Sequence, residues 1–215
     1  GIYQGAGVLE LEPGRTYEGP IYITDHGATV RCPAPDRATV VGGIVAHGVG
    51  NLTLSGLDIV ARGDQQFDLS AQGMSLWNGS PNALRGVRLE DLTVSGFGGY
   101  GLYASGLPLG YCDLTIERCR FTANQLGGVL ISGPVGEEYI HEDLHLIDVE
   151  ADHNPGLPDD EYHGTGPGLE LHGVRRGHLY RCRAHNNGGR NAGWGSFGIW
   201  AWQCMHLLIE ECQSY

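Results

Sequence analysis

Glu170 and His172 are the residues of this chain whose types and spacing most directly suggest chemistry. They stand two apart in Gly168-Leu-Glu-Leu-His, where apolar and polar side chains alternate. Alternation at period two marks a strand, and positions i and i+2 of a strand share a face. At a rise of ~3.3 Å per residue the two side chains sit roughly 6–7 Å apart, which leaves room for a reacting group between them. A carboxylate with a histidine, or with a second carboxylate, can perform general acid–base catalysis. Asp159, Asp160 and Glu161 lie in the loop that leads into this strand and extend the set. The bland alternative is a pair of solvated side chains and an acidic loop tip.

Two repeated phrases show which elements must position these residues. One is a Gly-led strand that starts at Gly73, Gly101, Gly128, Gly168 and Gly198. The other precedes each copy and ends on Leu57, Leu92, Cys119, Val149 and Cys182, then once more on Cys212; these anchors are 27 to 35 residues apart. A repeat of short period-two segments without a helical pattern indicates a β-solenoid. The 36 glycines, beside only 18% charged residues, suit many tight turns between short strands rather than disorder. The repeat makes residues 1–215 a single domain, with 1–50 as an N-terminal coil or cap region and 51–215 as regular coils. Met205–Tyr215 reads as half a coil, an open end that residues beyond 215 or another chain would cap.

Alternation separates inside from outside. Met74/Leu76, Leu102/Ala104, Val129/Ile131, Leu169/Leu171 and Ile199/Ala201 read as inward. Two columns then face out: Ser75, Tyr103, Leu130, Glu170, Trp200, and Trp77, Ser105, Ser132, His172, Trp202. Three of the four tryptophans would thus point outward from one sheet, which marks a binding surface or one covered by a loop or partner. Two adjacent loops, 152–167 and 185–197, are longer than the scaffold needs, and the second carries Trp194.

The phrases Asp113-Leu-Thr-Ile-Glu-Arg-Cys-Arg-Phe and Gly128-Val-Leu-Ile-Ser-Gly resemble coils of the pectin-lyase-like superfamily, over about residues 20–215. The resemblance implies an all-β, right-handed parallel β-helix of about six coils, with the C-terminal coil incomplete. It also implies a carbohydrate groove on the outer face of the Gly-led strands. The function expected from it is an extracellular polysaccharide-active enzyme, a glycoside hydrolase or lyase, secreted or at the cell surface. In that reading Glu170 with His172, or with Asp159 and Asp160, is catalytic. Trp77, Tyr103, Trp194, Trp200, Trp202 and Arg190 would contact a polysaccharide or oligosaccharide. The rival from the same superfamily is a non-catalytic glycan-binding or adhesive solenoid. The polygalacturonase mechanism is not carried over: Asp159-Asp160 and His172-Gly173 are superficially similar, but no Asn-Thr-Asp occurs.

Charge and spacing set further bounds. A formal net charge of −12 argues against nucleic acid, which needs clustered basic residues. It also disfavours a polyuronate unless Ca²⁺ bridges or Arg175, Arg176 and Arg190 make the groove locally basic; no other cofactor and no resident metal is expected. No apolar run reaches the ~18–20 residues of a membrane-spanning helix. The ten histidines do not cluster at metal-ligand spacing, His141/His145 falling in turn and strand rather than helix. Cys119, Cys182 and Cys212 share a repeat position and read as buried thiols, with a Cys182–Cys212 disulfide left open. Asn124, Asn154 and Asn187 end matching turns, where asparagine tolerates left-handed backbone and can bond from coil to coil. Asp152 and His185 share a position on adjacent coils and read as a structural ion pair. Asn51-Leu-Thr and Asn78-Gly-Ser match the glycosylation pattern.

Overall fold

The computed structural model describes the chain except residues 1, 4, 135, 137, 138, 159–163 and 192–195. Among the described residues there is no α-helix, and 22 strands form parallel sheets of eight and fourteen strands. The eight-stranded sheet runs in chain order from Ile2–Tyr3 through Ile21–Ile23, Ile44–His47, Met74–Asn78, Tyr100–Gly106, Gly127–Ser132 and Leu169–His172 to Ile199–Trp202. Between neighbours the chain crosses to the larger sheet, adds one long strand or a pair there, and returns. The result is an all-β stack of parallel sheets, consistent with a β-solenoid. Strands before residue 50 already join both sheets.

The repeated phrases pair residue for residue. Leu54, Leu89, Ile116, Leu146, Leu179 and Ile209 lie opposite one another in consecutive strands of the larger sheet. Met74, Leu102, Val129, Leu169 and Ile199 do the same in the smaller one. From Leu54 to Leu179, and from Met74 to Leu169, these columns are fully buried and form one core between the sheets. A one-residue slip would turn every apolar column outward, so the alternation itself holds the register.

The chain turns at single residues in left-handed backbone, at corresponding places in each repeat. One series is Asn51, Gly86, Asp113, Asp143, Arg176 and His206; a second is Gly56, Asp91, Arg118, Asp148, Arg181 and Glu211. The third is Gly96, Ala123, His153 and Asn186. Asn124, Asn154 and Asn187 are therefore not the left-handed residues; each follows one, and its side chain points inward. There the amides link the coils. Asn124 Nδ2 donates to Asn154 Oδ1 at 3.4 Å, and Asn154 Nδ2 donates to Asn187 Oδ1 at 2.9 Å. The turn wants a small amide inside because buried backbone groups there need partners. In the second series Arg118 pairs with Asp91 and Arg181 with Asp148, exposed contacts worth little individually.

Cys119 and Cys182 are buried free thiols, and Cys212 is a half-buried one. Their Sγ atoms lie 3.4, 3.4 and 3.5 Å from the carbonyls of Leu89, Leu146 and Leu179, one repeat back. Asn78 is fully buried and donates to the carbonyls of Asn82, Leu109 and Gly110, so it is no glycosylation acceptor.

Two buried groups give the fold a measurable signature. Tyr111 is buried with its hydroxyl unpartnered, beneath the parallel ring of His141. A phenol without a partner costs desolvation, so Tyr111→Phe is expected to hold or raise stability, by up to about 1 kcal/mol in urea unfolding. A loss of 2 kcal/mol would show that the hydroxyl is bonded. His141 is held on both sides: Nδ1 accepts from the Tyr111 N–H at 3.1 Å, and Nε2 donates to Ser132 O at 3.0 Å. A Cβ on Gly110 would strike the His141 ring, which explains glycine there. Burial lowers the His141 imidazole from 6.5 to about 4, against the opposing pull of the Ser132 carbonyl. The unfolded chain then binds the extra proton first. The stability due to this group is complete above pH ~6.5 and is lost as pH falls toward ~4, about 3 kcal/mol over the window. Urea midpoints across pH 7 to 4 would register it; a flat profile contradicts a buried neutral imidazole.

Candidate functional site

The candidate site lies on the outer face of the eight-stranded sheet, at strands Leu169–His172 and Ile199–Trp202. Glu170 is opposite Trp200, and His172 is opposite Trp202. The two indoles, two residues apart on one strand, lie nearly parallel, 15° between planes and 6.2 Å between centroids. The His172 ring stands edge-on to both, 5.3 Å from each, and Phe197 packs on Trp200 at 5.1 Å. Trp202 is 40% exposed and Phe197 44%, so an aromatic surface faces solvent.

Beneath it sits the carboxylate. Glu170 is only 6% exposed, and its Oε1 lies 2.9 Å from His172 Nε2. This corrects the 6–7 Å gap read from the strand rise: the side chains lean together and nothing fits between them. The cause is crowding. Leu130 and Trp200 flank Glu170 on the neighbouring strands, and the Tyr100 hydroxyl donates to Glu170 Oε2 at 3.4 Å. His172 Nε2 is itself sealed from solvent and lacks an aligned hydrogen bond. Among the described residues Nδ1 has no hydrogen-bond partner. Of the pair, the imidazole lies against the tryptophans and the carboxylate behind it is the more buried.

Tyr100 was not marked by the alternation, since it precedes the Gly-led strand proper. Its ring crosses Gly127, where an added Cβ would come within 2.7 Å of the ring edge and 2.9 Å of Pro167 O. The doubled glycine, Gly127-Gly128, is the sequence signal that something must lie flat there. Burial first, then the Glu170 charge, raises the Tyr100 phenol far above its ordinary value, so it keeps its proton. Phe197 was likewise missed, being an exposed loop residue.

The remaining sequence candidates divide. Tyr103 shares the Glu170 column, three strands from Trp200, or ~14 Å at the interstrand spacing. Trp77 is 36% exposed on the same face but four strands from Trp202, roughly 19 Å, so the three outward tryptophans do not form one cluster. Arg190 is exposed in the loop after Asn187, its backbone N–H bonded to Pro155 O at 2.8 Å. Arg175 and Arg176 do not make this groove basic; they lie on the larger sheet and pair with Glu142 and Asp143. Asp159, Asp160 and Trp194 fall outside the described residues. The two long loops touch through Ser196 Oγ, which donates to Gly166 O at 2.7 Å, and through Thr165 Oγ1, which donates to Asn191 Oδ1 at 3.3 Å.

Asp152 and His185 do not pair, although they lie opposite one another in adjacent strands. Arg120 captures Asp152 with two bonds of 2.8 Å, and His185 turns to Glu150. Among the described residues no helix is long and apolar enough to cross a membrane. Compared with known proteins, the chain matches no family model, no curated protein and no solved structure.

Proposed function

We propose that this chain is a right-handed parallel β-helix of about six coils that binds a polysaccharide across the outer face of its eight-stranded sheet. On that surface His172, held by Glu170, acts as acid and base, which makes the protein an extracellular glycoside hydrolase or polysaccharide lyase. The right hand follows the general rule for parallel crossovers. The observation that carries the function is the Glu170–His172 pair at 2.9 Å under the near-parallel Trp200 and Trp202 rings. A buried carboxylate whose partners among the described residues are a phenol and an imidazole is costly, and such groups concentrate where chemistry needs them. Indole faces stack on sugar rings and would set the sugar against the imidazole edge. Glu170 then orients the ring, while His172 moves the proton. Tyr100, which keeps its own proton, fixes the carboxylate.

A second reading, glycan binding without turnover, draws on the low exposure of Glu170 beside the open Trp202. A panel of neutral and acidic polysaccharides separates the two, scored for reducing ends, for unsaturated products and for binding. Turnover lost in His172→Gln supports the enzyme. Binding that depends on Trp202 without any turnover supports the second reading.

A further inference from the structure

At the corner that follows strands Glu150–Asp152 and Arg183–His185, two imidazoles converge. His153 Nδ1 lies 2.6 Å from Asp152 Oδ2, and His185 Nε2 lies 3.0 Å from Glu150 Oε1. In the neutral rings each carboxylate takes the N–H of its histidine, which leaves a lone pair on the opposite nitrogen. Those nitrogens, His153 Nε2 and His185 Nδ1, face one atom: Asn186 Nδ2, at 3.5 and 3.1 Å. Two lone pairs thus point at a common place that the amide N–H groups now occupy.

The surroundings hold this arrangement. Asp152 is fully buried and also accepts from Thr122 Oγ1 at 3.1 Å and from both Arg120 nitrogens. These bonds fix the carboxylate that meets His153 Nδ1. His185 is stacked on Tyr215, with centroids 5.2 Å apart and 8° between planes. His153 is exposed, so an ion can reach its ring from solvent.

We propose that His153 and His185 form a binding site for a divalent transition-metal ion of the Zn²⁺ or Ni²⁺ class. The Asn186 amide turns its oxygen toward the ion, and water completes the coordination. Imidazole nitrogens suit these ions, whereas Ca²⁺ and Mg²⁺ favour oxygen ligands. A carboxylate behind each imidazole fixes its tautomer and ring orientation, as outer partners of metal-ligating histidines do. The other grouping of ligand atoms, Cys112 with Glu142 and Asp143, is a poorer site: Arg175 and Arg176 bind those carboxylates, and burial raises the Cys112 thiol. The inference is independent of the glycan reading.

The test is calorimetric titration of EDTA-stripped protein with Zn²⁺ and Ni²⁺, with Ca²⁺ as the hard-ion comparison. One ion per chain is expected, with His153→Gln and His185→Gln each weakening uptake at least about tenfold. Glu150→Gln, which removes only a backing carboxylate, should weaken it about 10- to 100-fold, while His145→Gln leaves it unchanged. Thermal unfolding of each variant checks that it is folded. No uptake of either metal overturns the proposal. So does uptake undiminished in both histidine variants, or abolished instead by Cys112→Ser.

Discussion

Asn154→Ala is expected to lower the unfolding free energy by about 3 kcal/mol or more. Asn154 is fully buried at the centre of the amide ladder. Its Oδ1 accepts from the Asn124 N–H at 3.0 Å and from Asn124 Nδ2, and its Nδ2 donates to Phe121 O at 3.2 Å and to Asn187 Oδ1. Alanine removes both halves and strands the Asn124 N–H and the Phe121 carbonyl where water does not reach. Each orphaned buried group costs roughly 1–3 kcal/mol, so the total passes what surface substitutions produce. Urea unfolding of the variant measures this. Gln66→Ala, exposed, outside the ladder and not at a left-handed turn, serves as comparison and should change stability by under about 0.5 kcal/mol. A loss under 1 kcal/mol for Asn154→Ala would mean that the ladder is ornamental.

The second large effect is on activity. His172→Gln should reduce turnover about 10²- to 10⁴-fold, the usual contribution of a positioned acid–base group, with little change in binding. Glutamine keeps the polar contact to Glu170 and the packing under the indoles but cannot shuttle a proton. Glu170→Gln should cost less, because it acts through the ring, and should lower kcat with little change in KM. An unchanged kcat in Glu170→Gln would leave the carboxylate a packing role only. Trp202→Ala should raise KM and spare kcat, since that indole is an open surface.

The fold was readable at the level of single residues because its signals are local. Leu54, Leu89 and Ile116 pair as the period dictates, since parallel stacking allows one answer once the alternating face is buried. The turns were misjudged by one place. Asparagine carries two signals, tolerance of left-handed backbone and a bonding amide, and here only the second operates at Asn124 and Asn154. Ala123 and His153 take the left-handed positions, which their residue types do not advertise. The site was half readable. Alternation put Glu170, His172, Trp200 and Trp202 on one face correctly, but periodicity carries no information on which neighbours lean together. Hence the closed 2.9 Å pair, and Tyr100 reaching across two strands, needed coordinates. His153 and His185 stayed hidden for a similar reason: the repeat sets Asp152 opposite His185, but it does not say that both rings turn toward Asn186.

The central claim is that the Glu170–His172 pair works on a glycan bound by Trp200 and Trp202. The most direct measurement is single-turnover product formation on the polysaccharide panel, run side by side for the unaltered protein, His172→Gln and Trp202→Ala. New reducing ends or unsaturated termini are expected from at least one glycan, suppressed at least about 100-fold by His172→Gln and slowed through binding by Trp202→Ala. Product formation that His172→Gln leaves intact, or no product from any glycan, would contradict it.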